Sequence, residues 1–219
     1  MLMAMAAMVV LVSGVALAKV IEGTDAGETL TGTNNPDLIK AFGGNDTINA
    51  RAAADDLRGG DGGDFLNGQN GDDTYYGGSG VDSLSDYDGD TDYPPDTDGF
   101  SGKDVMYGGG AADELEGARE GDELHGGPNP DTASLEFLYG DTGGDKLYGE
   151  DGPDYMEGEQ GSDLMSGGAA NDEINAADEE TVGTPDTVNC GGGEDVVTAN
   201  NNDTVAANCE HVTRVANPV

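Results

Sequence analysis

GGDGGDFLN, GQNGDDTYY and GGSGVDSLS occupy residues 59–85 without a gap. They are three nine-residue units in register. Each has a glycine-rich first half, an aspartate sixth and a large side chain eighth. A fixed short period outranks the helix or strand preference of any single segment, because it describes one structural unit stacked on copies of itself. Residues seven to nine of a unit read as a short strand, with the eighth side chain turned inward and the seventh and ninth outward.

The register reaches far beyond these units. Backwards, units begin at Ala50, Ala41, Gly32 and Gly23, with Asp55, Asp46, Asp37 and Glu28 sixth and Leu57, Ile48, Ile39 and Leu30 eighth. Forwards, it resumes at Gly99, Gly108 and Gly117 and passes through a unit enlarged by five residues, Gly126 to Tyr139. Four regular units follow from Gly140 to Asn175, then a second enlarged unit from Ala176, CGGGEDVVT from Cys190 and a shortened ANNNDTVA from Ala199. The inward set contains Ile48, Leu57, Leu66, Tyr75, Leu84, Met106, Leu115, Leu124, Leu147, Met156, Met165, Ile174, Val188 and Val197. The outward positions, among them Asn67, Ser83, Ser85, Glu114, Glu116, Lys146 and Glu157, are mostly polar and read as irregular. The expected fold is all-β: a two-layered solenoid of about 18 units, two to a coil, so that alternate units stack.

These residues resemble the RTX family, whose calcium-binding nonapeptide has the form GGxGxDxUx with U a large apolar residue. The resemblance covers almost all of the chain after residue 18. It implies a right-handed parallel β-roll with calcium held between the turns of units n and n+2, by carbonyls of the glycine-rich halves and by the sixth-position carboxylates. Physical chemistry points the same way. One large apolar side chain per nine ordered residues does not offset the lost backbone entropy. Stacked aspartates add repulsion, and calcium is a hard cation that takes six to eight oxygen ligands.

The carboxylates expected as ligands are Asp46, Asp55, Asp64, Asp73, Asp82, Asp104, Asp113, Asp122, Asp145, Asp154, Asp163, Asp172 and Asp195. Turn glycines expected beside them are Gly60, Gly62, Gly78, Gly80, Gly143, Gly152 and Gly161. Two rows follow. Asp46, Asp64 and Asp82 stack on one edge with glycine-rich turns. Asp37, Asp55 and Asp73 stack on the other with poorer ones, Asn34-Asn35-Pro36 and Arg51-Ala52-Ala53-Ala54, so the first row should fill better. Glu120 replaces the fourth-position glycine beside the Asp104–Asp122 pair, and Ala111 does so before Asp113; both weaken their sites. Glu28 and Asp131 are weaker candidates.

The chain carries 45 acidic and 8 basic side chains, a formal charge of −37. That balance disfavours nucleic acid and anionic membrane surfaces as partners and favours cations. Residues 1–18 carry no charge and end in Ala16-Leu17-Ala18, the form of a signal-peptidase site, so the protein reads as exported by a bacterium and not inserted in a membrane after cleavage. Two cysteines, Cys190 and Cys209, in an exported chain read as a disulfide. The stretch around them resembles the terminal cap of secreted bacterial proteins of this repeat type, with Val188, Val197, Val205 and Val212 continuing the inward pattern. The expected organisation is a signal peptide (1–18), a first repeat block (19–85), an acidic insertion (86–98), a second block (99–189) and a cap (190–219). The insertion, DYDGDTDYPPDTD, reads either as a flexible acidic loop or as a further ion site without the closing glutamate of an EF-hand.

No H-E-x-x-H, G-x-S-x-G or P-loop is present, and no segment outside the repeat is long enough for a catalytic domain. The expected role is therefore non-enzymatic: a calcium-binding structural or surface-interaction module that contacts cell-surface or extracellular polymers. The alternatives are an adhesin or ice-binding solenoid, which would need a regular outward row, and a calcium-dependent hydrolase.

Overall fold

The computed structural model describes residues 18–86, 102–130, 133–177 and 184–216. The apolar run at 1–17, the acidic insertion beyond Asp86 and Asp131 lie outside the described residues. Among the described residues there is no helix, and none therefore long and apolar enough to cross a membrane.

The strands form two ten-stranded parallel sheets and one two-stranded pair. Alternate strands enter alternate sheets, as a two-unit coil requires. Sheet one holds Lys19–Glu22, Asp37–Gly43, Asp56–Asp61, Thr74–Ser79, Val105–Gly110, Glu123–Pro128, Lys146–Asp151, Leu164–Ala169, Thr187–Gly192 and Thr204–Val205. Sheet two holds Thr29–Thr31, Thr47–Ala52, Phe65–Asn70, Ser83–Ser85, Glu114–Glu116, Glu136–Tyr139, Asp154–Glu157, Glu173–Ala176, Val196–Asn200 and His211–Val215. The register within the sheets is that of the repeat: Leu57 pairs with Tyr75, Tyr75 with Met106, and Leu66 with Leu84. Lys19–Glu22 and His211–Val215, the first and last strands of the described residues, each lie at one edge of a sheet, and the sequence pattern did not count them as units.

All fourteen residues of the inward set are at most 1% exposed, and Ile39 and Leu138 join them. Leu138 went unread because the five extra residues of its unit hide its place in the register. Alignment of Leu115 with Leu138 shows that the insertion precedes the sixth position. Two expectations fail. Asn67 and Ser85, read as outward, are buried, and the Ser85 hydroxyl donates to Glu116 at 3.4 Å. Val212 stays 39% exposed, because its strand is the last of its sheet and no further strand of the described residues covers it.

The turns need positive φ at the second and fourth positions of many units. Gly60 and Gly62 supply it at 118° and 135°. Where glycine is missing, the backbone adopts it regardless: Phe42 at 77°, Arg51 at 91°, Ala53 at 85° and Glu120 at 76°. The Arg51-Ala52-Ala53-Ala54 turn, read as poor from sequence, is thus built like the good ones, whereas in the Asn34-Asn35-Pro36 turn neither Thr33 nor Asn35 takes positive φ. Coil-to-coil hydrogen bonds hold them, such as Ala53 N–H to the Asn70 carbonyl at 2.7 Å. The penalty of a side chain in this region is roughly 1–2 kcal/mol per residue.

Cys190 and Cys209 form a disulfide, with Cα atoms 5.2 Å apart. It ties the penultimate coil of sheet one to the segment entering the final strand.

Two outcomes follow in calcium-containing buffer. Ala53→Gly raises the stability measured by chemical denaturation by about 1 kcal/mol, while Ala54→Gly, at ordinary φ, lowers it by about 0.5–1 kcal/mol. Reduction of the disulfide, which spans 19 residues, lowers it by about 3 kcal/mol.

Candidate metal centres

Each sixth-position aspartate opens or immediately precedes a strand, where the chain leaves its glycine-rich turn. Stacking of alternate units superimposes these aspartates in two ladders. In the first, the backbone N–H of Asp37 donates to Asp55 Oδ1 at 2.6 Å, Asp55 to Asp73 at 2.7 Å, Asp73 to Asp104 at 2.6 Å and Asp104 to Asp122 at 2.8 Å. It continues through Asp145, Asp163 and Asp186 at 2.8 Å each and ends at Asp203 at 3.1 Å. In the second, Glu28 donates to Asp46, Asp46 to Asp64, Asp64 to Asp82 and Asp82 to Asp113 at 2.7–2.8 Å. Its far end runs Asp154 to Asp172 at 3.1 Å, Asp172 to Asp195 at 3.0 Å and Asp195 to Glu210 Oε2 at 3.2 Å.

All thirteen aspartates expected from sequence stand in one ladder or the other. The Asp104–Asp122 step, at 2.8 Å, is as short as the one that follows it despite Glu120. Besides Asp37, which was placed in a row but not in the ligand set, and the weaker candidate Glu28, sequence reading left four ladder members out. Asp186 was hidden behind the second enlarged unit, Asp203 by the shortened one, and Glu210 by lying outside the repeat. The fourth is Glu136. The pairing of Glu114 with Phe137 places Asp113 beside Glu136, which fills the rung that Asp131 was expected to hold.

Most rungs use one oxygen of the aspartate, Oδ1, although Asp154 Oδ1 is itself buried without a partner. The other, Oδ2, is buried without a hydrogen-bond partner on Asp46, Asp55, Asp64, Asp73, Asp82, Asp104, Asp113, Asp122, Asp145, Asp154, Asp172 and Asp195. Both oxygens of Glu136, which is fully buried, are in the same condition. A buried oxygen anion without a partner is costly unless a proton or cation meets it.

Backbone carbonyl oxygens lie close beside these atoms, packed against glycines that have no Cβ. A Cβ built on Gly59 would lie 2.3 Å from Asp64 Oδ2 and 2.7 Å from the Gly77 carbonyl oxygen. On Gly149 it would lie 2.1 Å from Asp154 Oδ2 and 2.5 Å from the Gly167 carbonyl. The expected turn glycines lie against carbonyls of the preceding coil. A Cβ would meet the Phe42 carbonyl at Gly60, those of Gly44 at Gly62, Gly60 at Gly78 and Gly62 at Gly80, and those of Glu120 at Gly143, Asn129 at Gly152 and Gly143 at Gly161. The donor set is therefore carboxylate and carbonyl oxygen, which suits a hard cation. Among the described residues no three His, Cys, Asp or Glu side chains converge on one point, so carbonyls must supply much of any coordination shell.

Burial raises nine of the ladder aspartates above the ordinary carboxylate range. Asp73 and Asp113 are pushed up to about 6, Asp55, Asp82, Asp104, Asp145 and Asp154 to about 7, and Asp122 and Asp172 to about 8. Glu136 reaches about 9, through burial first and then the charges of Asp154 and Asp113. Asp86 also reaches about 9. Read from sequence as the start of the acidic insertion, it is instead 1% exposed, and its Oδ1 accepts the Tyr75 hydroxyl at 3.3 Å.

The outward face of sheet one carries a row that sequence reading called irregular. The ninth positions of successive coils are Lys40, Arg58, Tyr76, Tyr107, His125 and Tyr148. The rings stack with centroids 5.3, 4.8 and 4.7 Å apart, and Arg58 covers the Tyr76 ring at 5.3 Å. The row was missed because these residues are eighteen or more apart in sequence and alternate with those of the other sheet.

The raised values fix a pH dependence for the protein in chelator. A carboxyl group whose folded value exceeds its unfolded 3.8 binds protons more tightly when folded. Its stabilising contribution is complete below 3.8 and is lost as pH rises through about 6 to about 8. Far-ultraviolet circular dichroism of the chelated protein should therefore show more β structure near pH 4 than near pH 8, and saturating calcium should abolish the loss at pH 8.

Four copies of the model for the RTX calcium-binding nonapeptide repeat match the chain, at residues 22–57, 50–84, 98–133 and 139–174. No curated protein matches it. With well over half of the sequence covered and the paired aspartate ladders in place, the chain belongs to the RTX calcium-binding nonapeptide repeat family and is a calcium-binding β-roll.

Proposed function

We propose that the protein is exported and folds on binding several calcium ions, to act as a structural or surface-interaction module rather than a catalyst. The observation that carries this reading is the series of buried, partnerless Oδ2 atoms along both ladders. The ligands would be the ladder aspartates, with Glu136 in the rung between Asp113 and Asp154, and carbonyls of the glycine-rich turns. Bound calcium supplies the positive charge that lets adjacent buried carboxylates ionise together. An ion at ten times its dissociation constant contributes about 1.4 kcal/mol. A handful of such sites matches the net stability of an ordinary domain, about 5–15 kcal/mol.

Export is supported by the charge-free first eighteen residues and by the disulfide, which persists in oxidising compartments. Proteins with these repeats are generally secreted. A surface-interaction role is supported by the stacked row from Arg58 to Tyr148, a regular outward feature of the kind an adhesive solenoid needs.

Calorimetric titration of the calcium-depleted protein at pH 7.5, followed in parallel by circular dichroism, should show uptake of several ions together with a gain of β structure. Unchanged β content after thorough chelation would overturn the coupling. Asp64 belongs to two successive steps of its ladder, so Asp64→Asn should remove one to two ions and leave the others.

A further inference from the structure

The ladders do not end as they run. Along their length a buried carboxylate oxygen is left without a partner. At their ends the chain itself meets that oxygen. The Thr33 N–H donates to Asp37 Oδ2 at 2.6 Å, and the Asn200 N–H donates to Asp203 Oδ2 at 2.5 Å. The Thr24 N–H donates to Glu28 Oε2 at 3.0 Å, and its hydroxyl donates to Oε1 at 2.7 Å. Glu210, at the far end of the second ladder, is exposed.

Thr24, Thr33 and Asn200 are each the second residue of their unit, and none takes positive φ. In five successive inner units the second residue does: Phe42 at 77°, Arg51 at 91°, Gly60 at 118°, Gln69 at 74° and Gly78 at 121°. The Oδ2 atoms of Asp46, Asp55, Asp64, Asp73 and Asp82, the aspartates of those units, have no partner. The same holds where Gly168 precedes Asp172 and Gly191 precedes Asp195. The sign of φ sets where this N–H points relative to the chain that follows. In the end units it points at the carboxylate, and a carboxylate that accepts N–H bonds on both oxygens is satisfied without a cation. Asp37 meets that condition, since its Oδ1 accepts the Lys19 N–H at 3.1 Å. So does Asp203, whose Oδ1 accepts the Asp186 N–H. The final turn also receives a positive charge. Arg214, on the last strand of sheet two, donates from Nη1 to the Asn200 carbonyl at 2.5 Å and to the Asp203 carbonyl at 3.2 Å. A guanidinium there holds the class of oxygen that inner turns offer to a metal.

We propose that the second residue of each unit decides whether its turn takes an ion, and that Thr24, Thr33 and Asn200, with Arg214, close the ladder ends by hydrogen bonds in the ion's place. This rests on the ladders being ion rows and sets where those rows stop. Glu28, Asp37 and Asp203 then hold the register of the end coils without binding calcium, and ligation begins at Asp46 and Asp55. A solenoid needs end repeats that differ from the inner ones, and here the difference lies in how the carboxylate is satisfied.

The test is the number of calcium ions bound per full chain at saturation, by calorimetric titration at pH 7.5, with β content followed by circular dichroism. Asp37→Asn and Asp203→Asn should bind as many ions as wild type. Asp55→Asn, one step inside Asp37 on the same ladder, should lose one or two. Glu28→Gln, at the half-buried start of the second ladder, should also keep the wild-type number, and it decides the matter if an amide at 37 or 203 prevents folding. Loss of one or more ions in any end variant with wild-type β content would overturn the closed ends and leave the ladder reading intact. An unchanged number in Asp55→Asn, or a wild type that binds no ion, would overturn the ladder reading and this inference with it.

Discussion

Most of the described coils hold the preceding one through an aspartate that accepts a backbone N–H with one oxygen and buries the other. The bond fixes the register, and the second oxygen creates the need for an ion. Stacked coils repeat at about 4.8 Å. Two charges that far apart, at an effective dielectric constant of about 20, repel by about 3.5 kcal/mol. The ladders repeat this along both edges of the roll, against a core one side chain deep. A metal therefore belongs to the fold itself, because the contact that stacks the coils is the contact that must be neutralised.

The turns obey the same constraint. Arg51, Ala53 and Glu120 take the positive φ of the glycines they replace. They yield because the coils above and below demand one backbone path: Asp55 and Asp122 must arrive where Asp37 and Asp104 can donate to them. Glycine is preferred at these places for two reasons, the free φ and the absence of a Cβ that would strike the next carbonyl, as at Gly62 and Gly80. The first can be overridden at modest cost. The second is a matter of space and explains why no run of several coils dispenses with glycine.

The sheets, the core and most of the ladders were legible in the sequence because all three follow from one period. Once Asp64 and Leu66 are placed, Asp82 and Leu84 follow. Legibility failed where the period was broken. Leu138 and Glu136 were lost behind a five-residue insertion, and a glutamate was not sought in an aspartate's place. Asp203 and Glu210 were missed where the repeat shortens and ends. Asp86 was assigned to the acidic insertion by composition, although counting nine from Gly77 places it at the head of the next unit. The row from Arg58 to Tyr148 failed for another reason: residues adjacent along one sheet are two units apart in the chain, so a regular surface looks irregular when read in order.

The claim that the ladders are ion rows is tested most directly by diffraction from crystals grown in calcium and then in terbium, with anomalous scattering used to locate the metals. Peaks are expected in two rows, one along each edge, successive peaks about one coil apart at about 4.8 Å and each in contact with an Oδ2 atom of the ladder. Ladder carboxylates that meet only water or one another, with no anomalous density along either edge, would contradict it.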